Sequence, residues 1–163
     1  METIKYPSEM FPGPSRITLQ LPEGWQGVAV PSTLIAAERT VPPGEFISNV
    51  IVRSQRVGPA VTLRRAAEIA DEGIDRLTDV EDIGRWLVKS DSLEGYAREF
   101  AYRDATAGTL AQAWRVFVVN YQTVTDLIEV VGSVVPSRRD DFSEVRAILD
   151  SVQIEVDVAL SEV

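Results

Sequence analysis

Tyr96, Arg98, Phe100 and Tyr102 share one parity along Gly95–Tyr102, a stretch that alternates as a strand does, so their side chains leave one face. An aromatic stripe that carries an arginine has the chemistry of a protein contact, because Tyr and Arg join a large apolar body to a directional polar end. Tyr96, Arg98 and Tyr102 are therefore the candidate interaction surface. Core or cross-strand packing is the simpler account of the same stripe. Trp25, Trp86 and Trp114 extend the aromatic set and could line a ligand groove, which a converging Arg98 or Arg115 would complete.

The carboxylates offer less. Asp71, Glu72, Asp75, Asp79, Glu81 and Asp82 are dense enough for calcium, a hard cation that takes carboxylate oxygens. Read as a calcium loop, however, Asp79–Gly84 puts Ile83 and Ser90 where ligands belong. A solvated helix face running into an acidic turn explains the cluster, and no metal is expected. Glu99, Asp104, Asp126 and Glu129 could supply the carboxylate pair of a glycoside hydrolase, but any chain this acidic offers such pairs. Lys89 and Ser90 cannot form a dyad, since neighbours on a strand point to opposite faces.

Composition excludes more chemistry than the motifs suggest. Among 163 residues there is no His and no Cys, which removes the Ser-His-Asp triad, the thiol nucleophile, the zinc finger and the usual haem ligands. Neither a Gly-x-Gly-x-x-Gly nor a Gly-Lys-Ser/Thr loop occurs, so nucleotide phosphates lack their usual cradle and no cofactor is expected. The formal net charge is -9, with two lysines and 14 dispersed arginines, so a nucleic-acid partner is not expected. A protein partner, if basic, would be favoured by the acidic surface.

The elements that must position these residues follow from period and punctuation. Pro7, Pro12, Gly13 and Pro14 make residues 1–15 an irregular arm. Ile17, Leu19 and Leu21 alternate as a half-buried strand, Pro22-Glu23-Gly24 turns into Trp25, and Leu34–Thr40 and Phe46–Val57 read as further strands. Thr62 caps a helix to about Leu77, with Leu63, Ala66, Ala67, Ala70 and Ile74 on its apolar face. Trp86–Ser90, Gly95–Tyr102, Leu110–Tyr121 and Val124–Val134 then follow as antiparallel strands with short connections. Ser137 is placed as the cap of a last helix whose core face is Phe142, Val145, Ile148, Leu149 and Val152, and Gln153–Val158 as a short final strand or a trailing end. Unbroken apolar runs at Val116–Val119 and Val130–Val135 imply a sheet covered on both faces.

The fold class expected is therefore α+β: an antiparallel sheet of about six strands between two main helices. It comprises an arm at 1–15, one domain at 16–156 and a tail at 157–163. This order resembles the Mog/PsbP-like fold, and within it the actinobacterial LpqN-type lipoprotein family. The resemblance is carried by Ile17-Thr-Leu-Gln-Leu-Pro-Glu-Gly-Trp25, Phe46-Ile-Ser-Asn-Val-Ile-Val52, Leu110-Trp114-Val116-Val118 with Asp126-Leu127-Ile128, and Ile148-Leu-Asp-Ser-Val152. It spans residues 16–154 and implies an accessory or protein-binding domain with no catalytic residue to carry over.

Without a basic-apolar leader or lipobox cysteine, the chain as given is expected in the cytoplasm. No apolar window approaches a membrane span. The expected function is a non-enzymatic protein-binding domain, partner unspecified. The alternative is a small-molecule-binding domain using a cleft between sheet and helix. A structural role in a homo-oligomer is a third reading.

Overall fold

The structure, a computed structural model, describes residues 1–156. Residues 1–15 form no helix or strand. The apolar runs become strands β1 (Arg16–Thr18), β2 (Trp25–Val28), β3 (Ile35–Arg39), β4 (Asn49–Val57), β5 (Thr78–Ser90), β6 (Leu93–Asp104), β7 (Gly108–Asn120), β8 (Thr125–Val134) and β9 (Gln153–Glu155). The helices are α1 (Leu63–Asp75) and α2 (Asp141–Asp150). The large sheet is antiparallel with order β2-β3-β4-β8-β7-β6-β5, while β1 pairs with β9 in a second sheet.

Several expectations change. The sheet has seven strands rather than about six, with a second sheet of two. The first expected strand shrinks to Arg16–Thr18 and lies outside the large sheet; among the described residues its strand partner is β9. The third begins at Asn49 rather than Phe46. Asp79–Gly84 is strand, not an acidic turn, since β5 runs unbroken from Thr78 and absorbs the irregularity in bulges at Thr78/Glu81 and Asp82/Gly84. Ser137 does not cap α2; it lies in a 3-10 turn, Pro136–Arg138, and α2 starts only at Asp141. The tail at 157–163 and the end of the Gln153–Val158 stretch lie outside the described residues.

Thr62 caps α1 as expected, its hydroxyl accepting from the Arg65 N–H at 3.1 Å. The helix lies over β5, β6 and β7. There Ala66 and Ala70 pack on Val116, Val118 and Leu127. The small alanines let the helix approach the sheet closely. On the opposite face α2 sets Phe142, Val145, Ile148 and Leu149 against Val50, Val52, Phe117, Ile128 and Val130. Because Val118 pairs with Leu127 and Phe117 with Ile128, consecutive residues feed opposite cores, which is why both faces of β7 and β8 are apolar. A Cβ at Gly132 would overlap Cγ1 of Val145, so only glycine lets α2 sit this close.

The start of α2 is tied to the first strands by charge. The Trp25 indole N–H and Arg39 Nε donate to Glu144 at 2.8 and 2.9 Å, and Ser48 Oγ donates to Asp141 at 2.8 Å. Burial alone would raise the Asp141 pKa, but Arg138 and Ser48 bind the carboxylate and hold it below the ordinary value. Carboxylates in a first helical turn also oppose the positive end of the helix dipole.

Candidate functional site

β6 carries two adjacent buried charges, Arg98 and Glu99, and alternation sends them to opposite faces of the sheet. Arg98 is 1% exposed and faces α1. Its Nε donates to Asp82 at 2.9 Å, and its two terminal nitrogens donate to Asp71 at 2.9 Å and Asp75 at 2.7 Å. Burial lowers the Arg98 pKa, yet the bonds to Asp75 and Asp82 outweigh it and the net shift is upward. Asp82 shifts down, through bonds from Arg85 and then Arg98.

The acidic cluster is therefore not a purely solvated face: three of its members hold Arg98. Among the described residues no group of three or more His, Cys, Asp or Glu side chains is arranged to hold a metal ion.

These contacts decide the fate of the expected stripe. Arg98 cannot anchor a partner, because it is enclosed and each of its three nitrogens donates to an aspartate. Phe100 is also fully buried, with its ring 6.0 Å from Tyr102 and 6.3 Å from Trp114. Tyr96 and Tyr102 are half-buried. The Tyr96 hydroxyl donates to Asp71 at 2.7 Å. Burial first, and Asp71 second, push its pKa up to about 12.

A raised folded-state value means that this phenol stabilises the fold fully below its ordinary pKa near 10, and that the contribution is lost as pH rises toward 12. Ultraviolet titration is expected to show a tyrosine ionising at about 12, and Tyr96→Phe to remove that step. Simultaneous ionisation of all tyrosines at the ordinary value would contradict the Asp71 bond.

Glu99, 1% exposed, faces α2. Arg146 grips both its oxygens at 2.6 to 3.1 Å, and Arg115 reaches one at 3.4 Å. Arg115 is 2% exposed; it also donates to Asp150 and to the Trp114 carbonyl, and its guanidinium lies 5.1 Å from the Trp86 ring centre. The other carboxylates weighed for hydrolysis have their own partners. Arg56 binds Asp126, Arg53 binds Glu129, and Asp104 accepts the backbone N–H groups of Thr106 and Ala107. Ser90 is buried and donates to the Val152 carbonyl.

What remains free is the edge. Among the described residues β5 is the outermost strand on its side of the sheet, 13 residues long, and it exposes Ile83 at 52%, Trp86 at 41% and Leu87 at 68%. Trp86 lies on the α2 side and Leu87 on the α1 side, opposite Tyr96. A Cβ at Gly84 would come within 3.1 Å of the Trp86 ring, so glycine makes room for the indole. Beside it a cleft of about 280 Å³ opens between β5 and α2, lined by Trp86, Leu87, Val88, Arg115, Phe117 and Leu149 among others.

Of the three tryptophans, Trp25 is buried and Trp114 half-buried, with their N–H groups on Glu144 and Gln112. Trp86 alone of them is exposed. Leu87 was not singled out in the sequence. Its signal is the run Trp86-Leu87-Val88, whose consecutive apolar residues cannot all be covered on a strand with one neighbour.

No protein-family model matches the sequence, nor does any curated protein. Solved structures do match. LpqN of Mycobacterium tuberculosis, described as involved in cell envelope biogenesis, aligns over 88% of this chain and 86% of its own at TM-score 0.77 and 11% identity. The chain has the Mog/PsbP-like fold. The cyanobacterial PsbP of Synechocystis aligns over 94% of this chain and 98% of its own, at TM-score 0.57 and 14% identity. The Ran-binding protein Mog1p of Saccharomyces cerevisiae aligns over 88% and 92%, at TM-score 0.54 and 12% identity. At these identities the Mog/PsbP-like likeness concerns the backbone and fixes no site residue. Among the described residues, no helix of this Mog/PsbP-like chain is long and apolar enough to cross a membrane.

Proposed function

We propose that the chain is a non-enzymatic protein-binding domain whose contact surface is the exposed edge of β5, centred on Trp86 and Leu87. The observation that carries this reading is the pairing of an open strand edge with large exposed apolar side chains. Such edges template pairing with another chain, and proteins that leave one open and apolar do so at cost. The Ran-binding role of Mog1p, on the same fold, supports a protein partner by analogy. The surface expected at Tyr96, Arg98 and Tyr102 thus moves one strand outward. Tyr96 stays on its border, opposite Leu87.

The second reading, a small-molecule site, has the cleft between β5 and α2 in its favour. Against it, each nitrogen of Arg115 already donates, to Asp150, Glu99 and the Trp114 carbonyl, so the cleft floor offers an incoming anion an occupied arginine.

The two readings separate in one experiment. Tagged protein is used as bait in lysate of the source organism, beside Leu87→Asp and, as control on a distant hairpin, Leu34→Asp. A protein retained by wild type and Leu34→Asp but lost by Leu87→Asp is the expected result. Retention by all three baits, or by none, contradicts the assignment, and a small molecule found in the cleft by native mass spectrometry would favour the second reading.

A further inference from the structure

We infer that the Gly84–Ser90 edge of β5 is completed by an extended basic segment of a partner protein, one apolar side chain of which fills the cleft between β5 and α2. The inference rests on the protein-binding reading above and specifies its partner.

Geometry selects the segment. The bulges at Thr78/Glu81 and Asp82/Gly84 break the ladder in the first half of β5, and Asp79 there adopts φ 53°. From Gly84 to Ser90 the register with β6 is uninterrupted, so alternate N–H and C=O groups point outward in regular array. The opposite edge of the sheet is β2, only four residues long. An added strand therefore finds its longest regular template at Gly84–Ser90, where it gains backbone bonds from the edge and side-chain selectivity from the pocket beside it. That pocket holds about 280 Å³ between Trp86 and Leu149, with Arg115 under the indole.

Charge selects the occupant. The apolar centre is flanked at one end by exposed Glu81 and at the other by exposed Asp91 and Glu94, while Asp79, Asp82 and Asp150 near them already bind Arg103, Arg85 with Arg98, and Arg115. Lys89 lies opposite Glu94, and Arg85 is held by Asp82 and Asp71, so the local cations are already faced by acids. A strand with basic residues on either side of an apolar one matches this order of charges. A second copy of the chain does not. Antiparallel self-pairing about Leu87 would set Arg85 against Lys89 twice, and two chains of net charge -9 repel.

The test uses the full chain and three labelled synthetic peptides: alternating Lys and Val about a central Leu, the same with Glu for Lys, and the same with Ser for the apolar residues. The first is expected to bind and to slow hydrogen exchange at Gly84–Ser90. Its affinity should fall at least about tenfold between about 0.05 and 0.3 M salt, because exposed charges are screened. Trp86→Ser, on the cleft side of the strand, should weaken it about tenfold, and so should Glu81→Gln with Glu94→Gln, while Leu34→Ser leaves it unchanged. All four substituted positions are exposed, and an unchanged thermal melt checks that the fold is kept.

Equal binding of the acidic or the serine peptide, protection elsewhere than β5, or dimerisation through β5 would overturn the inference. If the Leu87-dependent protein of the preceding section is captured but contacts β5 without a basic segment, the partner class is wrong and the protein-binding reading stands. If no protein depends on Leu87, the reading itself is wrong.

Discussion

Glu99→Ala is expected to destabilise the protein by about 3–5 kcal/mol, the range for removing one partner of a buried ion pair. Glu99 is 1% exposed and sits between Arg115 and Arg146. Without it Arg115, 2% exposed, keeps only Asp150 and the Trp114 carbonyl as hydrogen-bond partners. The buried Arg115 guanidinium would then lose its fully buried carboxylate partner and be left with the exposed Asp150 as its only acidic contact among the described residues. Urea denaturation measures the loss. A change below about 1 kcal/mol would mean that the site is wet and that the carboxylate is replaced by solvent. The prediction also bears on the edge, because Arg115 supports the Trp86 ring. Trp86 emission should shift in the same variant, against the background of Trp25 and Trp114.

Ile148→Ala is expected to lower stability by about 2–5 kcal/mol, through lost burial and a cavity between α2 and the sheet. Ile148 is fully buried, and α2 approaches β8 so closely at Gly132 that the helix cannot settle inward to fill the gap. Leu127→Ala should cost a similar amount on the α1 side. Because the two residues sit in cores separated by the sheet, their losses should add in the double variant. A loss under about 1 kcal/mol for Ile148→Ala would contradict the placing of α2.

The layers were legible in the sequence for a physical reason. Phe142, Val145, Ile148 and Leu149 recur at helical spacing, and Val116–Val119 has no polar alternation because each neighbour enters a different core. The first half of β5 was not legible, because it is Thr-Asp-Val-Glu-Asp, acidic and bulged, and an edge strand need not bury a regular face. The Ser137 assignment failed for a related reason: Pro136 does open a helical turn, but a 3-10 one, and the α-helix waits until Asp141, which Ser48 and Arg138 bind.

The site was half legible. Parity placed Tyr96, Arg98 and Tyr102 on one face, but nothing in the spacing showed that Asp71 and Asp75 of α1 would close over Arg98. Spacing along a chain reports which residues share a face, not what covers that face. The exposed pair lies one strand further out, and its visibility depends on β5 being an edge, a property of topology.

The central claim is that a partner sits on the β5 edge. It is tested most directly by placing a photo-crosslinking phenylalanine analogue at position 87, or at position 34 as control, in the protein expressed in its own cells. The account predicts a discrete higher-mass adduct after irradiation for position 87 and none for position 34. Adducts only at position 34, or at neither, would contradict it.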